Sequence, residues 1–477
     1  MTRPAALNIW ALAGEAAAKT PPSRDRVVDL LRGGSLAVVV IGHTLMAVVT
    51  WKGSTPVIGN LLAEIPELQV LTWVLQVMPV FFAAGAIANR ASWNAAGAKA
   101  RQGSTQEGSK QEGSKQEGSK PDWAAWMWGR TARLMRPVVW FLAVWIPLVI
   151  VLRVAVGPDA DPLARLSTQL LWFLGVYIVV VAFTPNEVRW ARRGPLPVVA
   201  MLGAVAVVDL VRFNTHDAVG LINFVLVWVM AATLGLVARD RIDRPRLLLG
   251  WAAAALAVEI AVVALGPYPM SMVGMPGEKV SNMAPPTLAL ALHSVVLICV
   301  VSAGWNPLHR WCRRPRVWHT VCAVGAVAMS LYLWHLSALI IVTVSQNALN
   351  LNRPEVGAAG FWPATLVHTV VCLVVVVGVV LAAAPLEHLR VPWLETPARR
   401  RLPAAVAAVG VACIGVGLLA ISATGLEGFP FFRVVRFAGV PLSPGLAVIV
   451  WAVGVVAVRA GGSERAGVPG RSGGVDA

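Results

Sequence analysis

Apolar runs of about 16 to 27 residues recur along nearly the whole chain, long enough to cross a bilayer core as helix. They fall at about 35–51, 68–89, 137–156, 169–184, 195–211, 219–238, 247–266, 286–304, 319–345, 361–385, 402–424 and 442–458. In lipid the backbone must satisfy its own hydrogen bonds, so such runs can only be helices packed as a bundle. Composition agrees: 57% of residues are hydrophobic and 13% charged, at a mean hydropathy of +0.69. A water-soluble surface of that makeup is excluded. The expected fold is an all-α polytopic transmembrane bundle of about twelve spans, a ten-helix core followed by two more.

The net charge of +16 has a topological cause. With the N-terminus assigned to the cytoplasm and sides alternating, cytoplasmic stretches hold 32 of the 40 Lys and Arg, and the other side holds eight. That bias follows the positive-inside rule, places both termini in the cytoplasm, and removes the reason to invoke nucleic acid. The first apolar run begins some thirty residues in without a small-residue cleavage site, so it is expected to stay as a signal anchor in the plasma or inner membrane. The five cysteines read as small hydrophobes, and no metal site is expected.

Expected boundaries are a cytoplasmic tail at 1–26, a core at 27–390, two further spans at 391–460 and a disordered tail at 461–477. A loop at 94–121 contains three tandem QEGSK copies, Gln106 to Lys120, which offer nothing apolar to bury and are expected to be disordered. The outward loop Pro267 to Pro286, rich in Pro, Gly and Met, is a candidate wall for an acceptor site.

Arg32 and His43 open the first span. Eleven residues apart on a helix, they share a face and stand about 16 Å from each other along the axis. A cation at the membrane edge is thereby aligned with an imidazole inside it, and ionisable groups there are costly enough to imply function.

Four stretches carry a family resemblance. RVVDLLRGGSLAVVVIGH (26–43) resembles the opening of the acyltransferase 3 family of integral membrane acyltransferases, with its Arg-x10-His motif. MPVFFAAGA (78–86) resembles the family's second helix, with Ala84 where a serine is common. RTAR (130–133) is similar to its cytoplasmic Arg-x-x-Arg motif, and SLYLWH (330–335) to its late YLxH helix. The resemblance covers roughly residues 24–390. It implies transfer of an acyl group, acetyl by default, from cytoplasmic acyl-CoA to a hydroxyl on a carbohydrate or other acceptor. His43 matches the family's base, and Arg32, Arg130 and Arg133 match its donor-binding arginines.

Chemistry supports those roles. Acyl transfer to an alcohol needs a base to take the hydroxyl proton, for which neutral imidazole is suited. A guanidinium donates paired hydrogen bonds to phosphate and stays charged. A helix-depth count puts His43, Asp209, Glu259, His293 and His368 in one layer, with His335 nearer the outer surface. This suggests a polar cavity in which Asp209, then Glu259, then Asp29 could orient the catalytic imidazole. Asp29 is alternatively placed to pair with Arg32 three residues on. His335 and Tyr332 are candidate substrate contacts, although Tyr332 and Trp334 fit an interfacial aromatic belt equally well. A twelve-helix secondary transporter is the rival reading, since transporters also bury ionisable groups at mid-membrane, but no internal repeat relates the halves. A nonenzymatic membrane scaffold ranks third.

Overall fold

The computed structural model describes residues 14–15, 17–21, 24–108, 121–275, 278–398, 401–431, 433–437 and 440–462. The residues described form a helical bundle, with two short antiparallel hairpins as the named sheet elements among them. Helix α1 spans Arg26–Met46 and is followed by hairpin strands β1 (Ala47–Lys52) and β2 (Thr55–Asn60). Next come α2 (Met78–Gly108), α3 (Trp123–Val156), α4 (Asp161–Thr168), α5 (Leu171–Ala182) and α6 (Thr184–Ala191). They lead to α7 (Leu196–Asn214), α8 (Asn223–Arg239), α9 (Pro245–Leu265), α10 (Leu288–Ala303), α11 (Trp305–Cys312) and α12 (Pro315–Ala326). The chain closes with α13 (Ala328–Ala348), α14 (Phe361–His388), α15 (Ala404–Thr424), strands β3 (Val435–Phe437) and β4 (Val440–Leu442), and α16 (Pro444–Gly462).

Among the described residues, ten helical stretches are long and apolar enough to cross a membrane, or eleven if the 57° bend between α10 and α11 lies within one span. One of the ten is a 60-residue run from Trp123 to Ala182 that holds α3, α4 and α5. The expected span at 169–184 corresponds to α5, whose 12 residues rise only about 18 Å. That shortness is why length alone does not return twelve.

Burial separates centre from periphery. The apolar window of α8 is 78% buried, while those of α7 and α9 are each 22% buried, so α8 is the central post. It is apolar all round, as a fully packed helix must be. Its Gly235 meets α2 so closely that a methyl there would stand 2.6 Å from Ala83 Cα. The outer helices present Leu196, Val199, Val207, Leu210, Ile260 and Leu265 outward, where lipid replaces water as the solvent.

Two boundaries differ from expectation for local reasons. The first apolar run was expected to be helical to Trp51, but the helix stops at Met46 and 47–52 is a strand. Val48, Val49 and Thr50 are β-branched and favour the pleated surface, and Gly53 at φ +62° makes the turn to β2. The loop expected to start at residue 94 is helical to Gly108, because its Ala-rich stretch continues α2. Residues 109–120, most of the QEGSK array, lie outside the described residues, as does the tail from 463.

Candidate functional site

Helix α1 is fixed at its start. The Asp25 side chain accepts from Val27 N at 3.2 Å and caps the helix, and its Oδ2 also receives the Arg239 guanidinium from the end of α8 at 3.1 Å. Asp29 is engaged by Arg24, which donates to both carboxylate oxygens at 2.6 and 3.1 Å. This corrects the expected Asp29–Arg32 pair: Arg24 precedes the helix and can fold back over its first turn, leaving Arg32 to point across to α2.

There the Arg32 guanidinium lies 5.6 Å from the Phe81 ring centroid, and its buried Nε has no hydrogen-bond partner. Arg130 on α3 sits 5.3 Å over the Trp126 ring with its Nε likewise unpartnered. Its charge lies within electrostatic reach of Arg133, Arg32 and Tyr177. Arg133 is exposed and donates to the Gly129 carbonyl at 3.1 Å. Arg136, one turn further, is neutralised by Glu395 at 3.3 Å. Arg32, Arg130 and Arg133 have no carboxylate partner among the described residues. Three like charges brought together without an anion leave their mutual repulsion unrelieved.

His43 lies in the last turn of α1 and is half-buried. Its ring centroid is 5.6 Å from that of His335 on α13, with the rings inclined at 45°. His335 Nδ1 lies 2.9 Å from Leu331 O and 3.0 Å from Tyr332 O. Carbonyls only accept, so the proton resides on Nδ1, and Nε2 presents its lone pair. That Nε2 is buried and without a partner. The structure thus joins two residues that lie nearly three hundred positions apart, the Arg-x10-His histidine and the YLxH histidine.

The other expected companions of His43 are placed elsewhere. Asp209 accepts from Asn223 Nδ2 at 3.0 Å, Tyr268 OH at 3.2 Å and Leu288 N at 2.7 Å. It ties α7 to α8 and to the first turn of α10. Glu259 bonds His293 Nδ1 at 2.9 Å in a fully buried pair. His368 meets Gln346 Oε1 at 2.8 Å and Cys372 Sγ at 3.4 Å. The expected single layer is therefore at least three separate clusters. Depth along a helix says nothing of the direction in which a side chain points, and facing direction decides contact.

Tyr332, expected as a substrate contact, is engaged within the bundle. Its hydroxyl donates to the Leu170 carbonyl at 2.5 Å, and the side chain packs against Phe173. Trp334 is not in an interfacial belt; it is buried and donates to Glu387 Oε1 at 3.0 Å, while Ser330 holds Oε2 at 2.6 Å. Sequence reading gave no role to Arg353, whose Nη2 donates to Ala47 O at 2.6 Å, clamping the end of the His43 helix. No pattern could have flagged it, since it sits in a loop between spans. Among the described residues, no group of three or more His, Cys, Asp or Glu is placed to hold a metal.

No curated protein and no solved structure matches this chain. A family model for an acyltransferase domain does match, over residues 25–385. That span opens at the Asp25 cap, takes in Arg32, His43, Arg130, Arg133 and His335, and closes within α14, leaving α15 and α16 outside. The chain carrying this arginine cluster and histidine pair belongs to the acyltransferase 3 family of membrane acyltransferases.

Proposed function

We propose that the protein moves an acyl group, acetyl by default, from acyl-CoA in the cytoplasm to a hydroxyl of a carbohydrate, glycolipid or related acceptor. The observation that carries this reading is the convergence of Arg32 and Arg130 as cations without a counter-ion, on the same side of the bundle where α1 begins. They suit the phosphates of CoA, each guanidinium offering paired donors. The distance along α1 from Arg32 to His43, about 16 Å, matches the reach of an extended pantetheine arm, which would bring the thioester to the histidines.

In this account the acceptor hydroxyl oxygen attacks the thioester carbonyl carbon while His43 takes its proton. The C–S bond breaks, the ester forms, and the thiolate recovers the proton to leave as free CoA. His335, its tautomer held by two backbone carbonyls, offers Nε2 as a hydrogen-bond acceptor beside the reacting group. Asp209 and Glu259 act in packing, each with partners of its own. The topology we favour has twelve crossings, counting α3 and α5 as separate spans and the α10–α11 pair as one, with both termini on the basic, cytoplasmic side.

A proton-coupled transporter is the alternative, and the buried Glu259–His293 pair is the feature that favours it. Membranes bearing the protein, supplied with acyl-labelled acetyl-CoA, separate the two. Label should pass to envelope glycans or lipids in the first case and not in the second, and the transfer should vanish with His43→Ala.

A further inference from the structure

A cavity of about 790 Å³ opens where the matched family region meets the appended helices. It is lined by Trp93 and Trp123 at its rim, Arg189 and Arg192 from α6 and the residue after it, and Val411 and Ala412 of α15. Its volume lies within the range of roughly 300–1,000 Å³ typical of small-molecule sites. Both arginines are exposed and, among the described residues, neither has a carboxylate partner. Two acids neighbour the lining residues in sequence, and neither pairs with these arginines. Asp122, beside Trp123, caps α3 through Ala124 N and Ala125 N and is paired with Arg401. Glu187 is buried, on α6 between the lining residues Asn186 and Val188, and does not line the cavity.

The cavity adjoins the arginine cluster on one side, where its Trp93 meets Trp126, the ring beneath Arg130, at a centroid separation of 5.3 Å. On α5, Tyr177 turns toward Phe81 and Gly85, and Phe81 is the ring beneath Arg32. Val179, which lines the cavity, turns instead toward α15, where it packs against Gly415. Arg32 and the Val179 wall of the cavity thus lie toward different faces of α5. The cavity combines guanidinium groups and indoles with a wall of Val and Ala from α5 and α15. Arginine and tryptophan are side chains that meet lipid headgroups.

We infer that the cavity binds an anionic phospholipid of the leaflet on the basic side, with the phosphate between Arg189 and Arg192 and the acyl chains along α15. The appended helices thereby gain a purpose, as one wall of a lipid site that the family core alone lacks.

The test is native mass spectrometry of the full-length protein delipidated in detergent and titrated with phosphatidylglycerol or phosphatidylcholine. At roughly fivefold per surface arginine, the two together should give about a twenty-five-fold preference for phosphatidylglycerol. The exposed pair R189Q/R192Q should bring the two lipids to parity, and Ala412→Trp, which fills the wall but keeps both cations, should lower retention of phosphatidylglycerol. Equal retention of both lipids by the unaltered protein overturns the inference, as does an undiminished preference in the double variant. Displacement of phosphatidylglycerol by 3′,5′-ADP also overturns it, since the cavity would then be a nucleotide site. The readout is bound lipid, so the outcome is independent of whether acyl transfer occurs.

Discussion

At the residue scale the site is defined by which polar groups have partners and which do not. Asp209 has three donors, so Asp209→Asn should leave transfer within a few-fold of normal while lowering thermal stability, by about 1 kcal/mol for the lost charge-assisted bond to the α10 terminus. A loss of turnover with unchanged melting would place it in the chemistry instead. Glu187 poses the opposite case. It is buried with neither carboxylate oxygen partnered, and burial raises its pKa well above the ordinary 4.5. The folded protein therefore holds this proton where the unfolded chain releases it, and stability falls as pH rises above about 4.5, up to the folded value. Glu187→Gln should flatten that dependence and melt no lower at pH 7; a variant that keeps the full pH slope would show the carboxylate is ionised and paired. The arginines make a third residue-level case. Arg32→Gln and Arg130→Gln should each raise the KM for acyl-CoA about tenfold, the worth of one lost charged hydrogen bond, with the acceptor KM unmoved. An effect on the acceptor alone would contradict the donor assignment.

At the scale of elements, much of the path was legible because lipid leaves the backbone few choices. The long apolar runs at 195–211, 219–238, 247–266 and 361–385 recur as α7, α8, α9 and α14 with small shifts at their ends. What escaped were features set by contact rather than composition. The strand at 47–52 depends on a hairpin partner, and the break at Val327 divides an unbroken apolar run into α12 and α13. The site divides the same way. Arg32, His43 and His335 could be named because each lies in a recognisable motif. Asp209, Glu259 and Tyr332 bond away from His43 because spacing along one helix does not reveal the azimuth of another. Packing of the appended pair is testable at this scale. Gly417 of α15 lies against α16 so tightly that a methyl there would stand 2.6 Å from Trp451 N. Gly417→Val should cost about 1–3 kcal/mol through overpacking, seen as a lower melting temperature in detergent. An unchanged melting curve would mean the two helices are not held at this distance.

At the scale of the whole molecule, the proposal is one of access from two directions to one pair of imidazoles, His43 half-buried and His335 buried. The bundle carries its cationic cluster, without a carboxylate partner among the described residues, at the start of α1 and the proposed base, His43, at the other end of the same helix. α8 serves as the packed post at the centre, and an outer ring faces lipid. On the proposed topology, the 32-to-eight division of Lys and Arg puts the cluster on the cytoplasmic side, where the proposed acyl-CoA donor would be met. The measurement that bears most directly on this arrangement is acyl transfer from radiolabelled acetyl-CoA by purified, correctly folded His43→Ala protein beside the unaltered enzyme. Loss of turnover by a factor of about 10² to 10⁴, with acetyl-CoA still bound as tightly as before, is the result expected. Transfer at the unaltered rate by a variant of normal melting temperature would contradict it.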